Sequence, residues 1–148
     1  MKRLYPDQPV VGIGAVIIKE GNIALIKRSN EPSKGKWTIP GGLVELGENL
    51  EAAVIRETKE ETCLDVEYPS LIDVVDNVDL DEQGKIRYHY VIIDYLVHVR
   101  SGKIQAASDA AELFWVPLNE VENYNLTASF RLFFRNNREK LSRLSSYP

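Results

Sequence analysis

The sequence predicts a mixed α/β fold, because stretches with the composition of strands are interrupted by two stretches with the pattern of helices. β-Branched and aliphatic residues dominate 10–19 and 86–99, which is typical of strands. Helices are predicted at about 48–62 and 128–144, each with apolar residues gathered on one side. Strands before, between and after these helices indicate a mixed α/β architecture.

Each element follows from a local signal. The predicted strands are, in chain order, 10–19, 23–28, 37–39, 64–78, 86–99 and 112–116. Residues 20–22 form the turn of a hairpin between the first two strands. Pro40 ends the third strand, and the pair Gly41 and Gly42 predicts a backbone that other residues adopt only at a cost. Pro117 is placed to begin a helical turn, and Thr127 to cap the last helix.

Length and composition limit the function classes. The chain has 148 residues, which fits one domain over 1–148. Its net charge is −4 and it has no basic tail or stripe, so a nucleic-acid polymer is not the expected partner. A single cysteine excludes an internal disulfide framework and fits a reducing compartment. No apolar run is long enough for a signal peptide or a membrane span, so we expect a cytoplasmic protein.

Three glutamates crowd one side of the first predicted helix. Glu57, Glu60 and Glu61 fall within an arc of about 100° when the stretch is helical. Like charges at this spacing destabilise a helix, and its C-terminal end is the wrong end of the macrodipole for anions. A hard divalent cation with oxygen ligands, Mg²⁺ or Mn²⁺, would offset that cost.

The same stretch resembles the sequence signature of a known family. GGLVELGENLEAAVIRETKEETCL, residues 41–64, is similar to the box of the Nudix hydrolases, G-x5-E-x7-R-E-U-x-E-E-x-G-U, where U is bulky and apolar. Every charged position is present at its spacing. Thr58 stands where an aliphatic residue is usual, and Cys63 where glycine is usual, so a positive φ at Cys63 would be strained. WTIPGG at 37–42 and ELFWVPL at 112–118 resemble family features of lower specificity.

This resemblance implies a fold and a reaction. The fold is an α/β/α sandwich around a mixed β-sheet. The reaction is Mg²⁺-dependent hydrolysis of the pyrophosphate bond in a nucleoside diphosphate linked to a group X, with Mn²⁺ able to substitute. We favour ADP-ribose as the small-molecule substrate, cleaved to AMP and ribose 5-phosphate. The alternatives are a (d)NTP pyrophosphohydrolase of the nucleotide-sanitising type and a non-catalytic domain that senses a nucleotide. Some family members are dimers and others are monomers, which leaves a homodimer open.

The resemblance also implies roles for the residues of the box. Glu57 and Glu61 are the expected direct metal ligands, Glu60 a ligand or base partner, and the Gly41 carbonyl a further ligand. Arg56 is expected to pair with Glu48 and hold the loop against the helix, with Gly42 opening that loop. These roles are catalytic for Glu57 and Glu60, and supporting for Gly42, Glu48 and Arg56.

Residues outside the box are candidates for substrate contact. Arg28 ends the second strand and could hold a phosphate through its forked guanidinium, or could be solvated. Trp37 could stack on a base, or could be a core residue. Tyr88 and Tyr90 share one strand face, which could line a cleft, or each could be a packing or surface residue.

A late acidic residue is expected to supply the general base or another metal ligand, as in many Nudix enzymes. Glu112 and Asp109 are the candidates, the alternative for each being a surface carboxylate. His89 and His98 lie nine residues apart on one predicted strand, which does not suit a shared zinc site.

Overall fold

The computed structural model describes residues 2–104 and 110–145 and has seven strands, two α-helices and a 3₁₀ turn. The strands are β1 (Val10–Lys19), β2 (Asn22–Arg28), β3 (Trp37–Thr38), β4 (Gly41–Leu43), β5 (Asp65–Leu80), β6 (Ile86–Ser101) and β7 (Ala110–Pro117). The helices are α1 (Leu50–Thr62) and α2 (Ala128–Ser145), and the 3₁₀ turn is Leu118–Asn123. The predicted elements are therefore present in the predicted order.

The strands form one mixed sheet. Its main path runs β3-β2-β1-β6-β5, while β4 pairs with β1 and β7 pairs with β2. β1 and β6 run parallel, and the other strand pairs are antiparallel. The mixed sheet inferred from the family resemblance is confirmed.

Side chains of β1 alternate between two apolar clusters, one on each face of the sheet. Ile13, Ala15 and Ile17 pack in a cluster with Ala53 and Val54 of α1. Val16 packs in the other cluster with phenylalanines of α2, namely Phe130, Phe133 and Phe134. Because successive strand residues point to opposite faces, the two helices cover opposite sides of the sheet. None of the helices in the described part of the chain is both long and apolar enough to span a lipid bilayer.

Helix α1 begins later than predicted, and its buried side includes a carboxylate. Asn49 is its N-cap and accepts a 2.8 Å hydrogen bond from the amide of Ala52, so the helix begins two residues later than expected. Ile55 is 38% exposed although it is aliphatic, whereas Glu61 is only 8% exposed. The buried side of α1 follows Val54, Thr58, Glu61 and Thr62, and is therefore rotated toward the carboxylates.

The end of α1 has the strain that the sequence predicted. Cys63 is the C-cap and has a left-handed backbone, with φ of 66°. Its amide donates a 3.0 Å hydrogen bond to the carbonyl of Lys59, which closes the last turn. A residue with a Cβ therefore occupies a position that favours glycine. At the start of α2, Thr127 Oγ1 accepts a 3.2 Å hydrogen bond from the amide of Phe130, as predicted.

Candidate active site

A cleft of about 910 Å³ runs over the sheet between the C-terminal half of α1 and the N-terminus of α2. Its walls include Glu57, Glu60 and Glu61 of α1, alternate residues of β5 and β6, and the first turn of α2. Gly12 and Gly14 of β1 contribute bare backbone to its floor. This volume is within the range of small-molecule sites and suits a ligand as large as a nucleotide.

Arg56 links the carboxylates at the charged end of the cleft, although it is not among the described residues that line the cleft. Its Nε and Nη2 donate to the two carboxylate oxygens of Glu48 at 2.7 and 2.8 Å, the expected pair. Its Nη1 donates to Glu57 at 2.8 Å and to Glu60 at 3.2 Å, and Nη2 also donates to the carbonyl of Leu43 at 3.1 Å. These bonds join α1 to the loop before it, and the guanidinium lowers the pKa of Glu48 to about 2.

Glu57 lies beneath this guanidinium and against β4. Its side chain is 14% exposed, and burial raises the pKa of its carboxyl although Arg56 opposes that shift. A Cβ added at Gly42 would collide with the Glu57 carboxylate, and one at Gly41 would collide with the carbonyl oxygen of Ile13. Neither Gly41 nor Gly42 has a positive φ, so the prediction of a backbone conformation that only glycine adopts cheaply is wrong. Glycine is needed at both positions because β1 lies against Gly41 and the Glu57 carboxylate lies against Gly42.

Glu60 and Glu61 border the same cleft with different exposure. The Glu60 side chain is 48% exposed, and Glu61 is nearly buried. In the described part of the chain, no three carboxylate, imidazole or thiol groups converge closely enough to hold a metal ion as they stand. Arg56 holds Glu57 and Glu60 instead, and this supplies part of the charge compensation expected from a cation. The donor set, carboxylate oxygens on one cleft wall, fits a hard divalent cation.

Arg28 and the two tyrosines of β6 line the cleft. Arg28 Nε donates to the carbonyl of Pro32 at 2.7 Å, which orients its side chain. The rings of Tyr88 and Tyr90 are stacked with centroids 6.1 Å apart. The hydroxyl of Tyr90 is buried and has no hydrogen-bond partner among the described residues. The predicted cleft-lining face of β6 is therefore present.

Trp37 lies in an aromatic group outside the described lining of the cleft. Its ring stacks on Phe114, with centroids 5.4 Å apart, and meets Tyr124 edge-on at 5.2 Å. It packs against the same apolar cluster as α2. The core alternative for Trp37 agrees with this position, and base stacking does not.

Glu112 does not join the carboxylates of α1. It is on β7, where its backbone pairs with Lys27 of β2 and its carboxylate lies 3.6 Å from Lys27 Nζ. It is not among the described residues that line the cleft. An exposed ion pair on the sheet explains this glutamate without a catalytic role. Asp109, the other candidate base, lies outside the described residues.

Asp94 is a cleft residue that the sequence reasoning missed. It is on β6, is 3% exposed, and lines the cleft. Burial and the negative charge of Asp73 raise its pKa to about 7. The available signal was one carboxylate inside the apolar run VIIDYLV, since an acidic residue within a buried strand requires a reason.

The acidic helix wall, the glycine-lined floor and the nucleotide-sized cleft are compatible with a hydrolase that acts on phosphate anhydrides. The family comparison agrees, because the model described as the NUDIX domain matches residues 8–136. The chain belongs to the Nudix hydrolase family.

Three similar proteins illustrate the relationship. The ADP-ribose pyrophosphatase of Methanocaldococcus jannaschii is 41% identical over 119 residues, which cover 80% of this chain and 68% of that protein. The crystal structure of the MutT NUDIX hydrolase from Burkholderia pseudomallei is 36% identical, with a TM-score of 0.75, and the match covers 87% of this chain and 98% of that one. The NUDIX domain of Shewanella oneidensis NrtR, complexed with ADP ribose, is 24% identical with a TM-score of 0.75 over 92% and 90% of the chains, and shows the shared fold alone.

Proposed function

We propose that this chain hydrolyses the pyrophosphate bond of nucleoside diphosphate-X compounds in an Mg²⁺-dependent reaction, with ADP-ribose as the favoured substrate. Water adds to one phosphorus, the bridging P–O bond breaks, and the products are AMP and ribose 5-phosphate. The observation that most supports this is the group of three glutamates on the wall of a nucleotide-sized cleft. The relative named ADP-ribose pyrophosphatase, at 41% identity, supports the choice of substrate.

The glutamates of the box have separate proposed tasks. Nudix hydrolases generally use a divalent metal ion. Glu57, Glu60 and Glu61, with the Gly41 carbonyl, would hold that ion, and Mn²⁺ would substitute for Mg²⁺. When bound, it supplies charge neutralisation at the phosphate oxygens and activates the attacking water. Arg56, fixed by Glu48, positions Glu57.

The proton of the attacking water needs an acceptor, and Glu60 is the proposed one. Its side chain is 48% exposed and borders the cleft, so solvent and substrate reach it. Glu112 is no longer proposed as the base, because a base must come within hydrogen-bond reach of the water and Glu112 lies beside Lys27.

Arg28 is the proposed phosphate contact. Its Nε is engaged by Pro32, which leaves the outer nitrogens of the guanidinium to meet a phosphate. Trp37 is proposed to support β3 and not to contact substrate. We further propose that residues 1–148 act as one domain, and a homodimer remains open.

A second candidate function is hydrolysis of nucleoside triphosphates to a monophosphate and pyrophosphate. Its support is the similarity to the structure named MutT NUDIX hydrolase, at 36% identity. The same glutamates would serve either reaction, since both break a phosphate anhydride.

A substrate panel tests both candidates. ADP-ribose, nucleoside diphosphate sugars and (d)NTPs are incubated with the protein and Mg²⁺ or Mn²⁺; a coupled phosphatase releases phosphate from the products of the diphosphates, and inorganic pyrophosphatase from the pyrophosphate product of the (d)NTPs. Phosphate from ADP-ribose ahead of the triphosphates is the expected result. Faster turnover of a triphosphate would favour the second function. Tight nucleotide binding with no turnover under any condition would contradict both and indicate a sensor.

A further inference from the structure

The segment before β1, residues 2–9, is fastened to the start of β6 and reaches the cleft. The amide of Tyr5 donates a 2.8 Å hydrogen bond to the carbonyl of Arg87 on β6. The Tyr5 hydroxyl donates a 2.7 Å hydrogen bond to Asp81, in the turn between β5 and β6. Two residues before this anchor, Arg3 lines the cleft. A cation that is distant from the box in sequence is therefore brought to the same cleft.

The charge of Arg3 is available to a ligand. The side chain of Arg3 is exposed, and within residues 2–104 and 110–145 it makes no hydrogen bond or ion pair. Arg87 also lines the cleft, but its guanidinium pairs with Asp79 at 2.8 Å. Lys2 has the same charge as Arg3 and is not among the described residues that line the cleft. Of these three cations, Arg3 is the one that is both unpaired and in the cleft.

A buried hydroxyl lies in the electrostatic field of the same arginine. Tyr90 lines the cleft, and its Oη is buried without a hydrogen-bond partner among the described residues. Burial raises the pKa of Tyr90, and the positive charges of Arg3 and Arg28 oppose that rise, so both guanidiniums lie near enough to act on the hydroxyl. A buried polar group without a partner is costly. An oxygen held by the two guanidiniums would supply the acceptor that Oη lacks.

Two guanidiniums without carboxylate partners suit an anion. Arg28 Nε donates to the carbonyl of Pro32, a neutral acceptor, and in the described part of the chain Arg28 forms no ion pair. Arg3 and Arg28 come from segments other than α1, so their charges are supplied separately from the glutamates. Guanidinium groups bind phosphate oxygens through a fork of N–H donors, and a phenol adds an O–H donor. The chemistry of Arg3, Arg28 and Tyr90 therefore matches a phosphate group.

We propose that Arg3 is a substrate-binding residue, which holds a phosphate group of the bound nucleotide together with Arg28 and the hydroxyl of Tyr90. This rests on the proposed function, which places a nucleoside diphosphate in the cleft. The segment before β1 then contributes directly to substrate affinity.

The first test measures ADP affinity, which does not depend on turnover. ADP is titrated calorimetrically into the whole chain with Mg²⁺, using the wild type, Arg3→Gln and Lys2→Gln. Arg3→Gln should weaken ADP binding roughly tenfold or more, because a charge-assisted contact is lost. Lys2→Gln removes the same charge one residue away and should stay within about twofold of the wild type. Arg3 is outside both apolar clusters, so Arg3→Gln should keep the wild-type Tm.

The second test removes the hydroxyl and keeps Arg3. Tyr90→Phe retains the ring that stacks on Tyr88, and should weaken ADP binding roughly fivefold. Its stability should equal or exceed that of the wild type, because a buried unpaired hydroxyl is lost. Tyr95→Phe is the matched control, since Tyr95 is on the same strand but packs in the cluster with α1. Tyr95→Phe should bind ADP as the wild type does.

Two kinds of result would overturn the proposal. One is wild-type ADP affinity in Arg3→Gln or in Tyr90→Phe. The other is an equal loss of affinity in Arg3→Gln and Lys2→Gln, which would indicate a general attraction between positive charge and an anion and not a contact made by Arg3.

Turnover distinguishes this proposal from the proposed function. Robust hydrolysis of ADP-ribose with ADP affinity independent of Arg3 would remove the role of Arg3 and leave the function intact. ADP affinity that depends on Arg3, in a protein that hydrolyses no nucleotide, would support the role of Arg3 and remove the function.

Discussion

Arg56 explains how crowded carboxylates coexist on a folded helix. One guanidinium donates to Glu48, Glu57 and Glu60, with its fork on Glu48 at 2.7 and 2.8 Å. A fork of this geometry is specific to arginine, because lysine has a single point of charge. The loop before α1 and the glutamates of α1 are therefore fixed by the same side chain.

Glu57→Gln should remove most turnover and preserve the fold. The amide keeps the volume beside Gly42 but removes a negative charge that would bind the metal ion. We expect kcat to fall roughly 100-fold or more, with an unchanged circular dichroism spectrum. Glu51→Gln, an exposed acidic position in the first turn of α1, is the control. Wild-type kcat in Glu57→Gln would show that this glutamate has no catalytic role.

Asp94 should make folding stability depend on pH. Its pKa is raised from 3.8 to about 7 in the folded chain, so the folded chain keeps a proton that the unfolded chain releases over that interval. Its contribution is complete below about pH 4 and is lost as pH rises to about 7, at up to about 1.4 kcal/mol per pH unit. Asp94→Asn should flatten this part of the curve. Urea unfolding at a series of pH values measures it, and parallel curves for both proteins would contradict the assignment.

At the scale of the element, the C-terminus of α1 has a strained backbone, because a residue with a side chain adopts a left-handed conformation there. Cys63 has φ of 66°, where a Cβ costs on the order of 1 kcal/mol. The next strand, β5, begins two residues later, so this turn connects α1 directly to the sheet. The strain therefore lies within the segment that positions Glu60 and Glu61.

Cys63→Gly should stabilise the fold by about 0.5–1 kcal/mol. Glycine removes the left-handed strain, and its greater freedom in the unfolded chain cancels part of that gain. The backbone bond from residue 63 to Lys59 needs no side chain and should persist. Chemical denaturation measures the difference. Cys63→Ala retains the Cβ and should show no such gain, so equal stabilisation by alanine would exclude backbone strain as the cause.

Local patterns predicted the elements better than their pairing. The β-branched runs located β1 and β6, and the glutamate spacing located α1. Nothing local indicates that β1 pairs in parallel with β6 or that β7 pairs with β2, because these contacts depend on the path of the whole chain. That second pairing places Glu112 beside Lys27 and away from the α1 glutamates.

The same limit applies to single site residues. The charged positions of the box were predictable because their spacing is regular, and the pair of Arg56 with Glu48 follows that spacing. Trp37 was ambiguous, since an aromatic residue before the box suits a core or a ligand, and only its contact with Phe114 decides. Asp94 pairs with Gly14, which is distant in sequence and adjacent in the sheet, so the position of Asp94 on the cleft could not be predicted locally.

At the scale of the molecule, metal ions should stabilise the folded chain. A ligand that binds only the folded state at about ten times its Kd adds about 1.4 kcal/mol, or roughly 3–6 °C in Tm. Thermal unfolding with and without Mg²⁺ or Mn²⁺ measures this shift, and EDTA should reverse it. Glu57→Gln should show a smaller shift. An equal rise in Tm for the wild type and for Glu57→Gln would show that the ion binds at another site.

The parallel pairing of β1 with β6 also has a consequence for biosynthesis. Val10 pairs with Tyr90, so about eighty further residues must leave the ribosome before β1 can pair with β6. Closing so long a loop slows folding, and β1 presents an apolar surface throughout. The two sides of the cleft floor, Gly14 and Asp94, meet only at this late step. Nascent chains that stop before β6 should therefore lack the side of the cleft that β6 supplies.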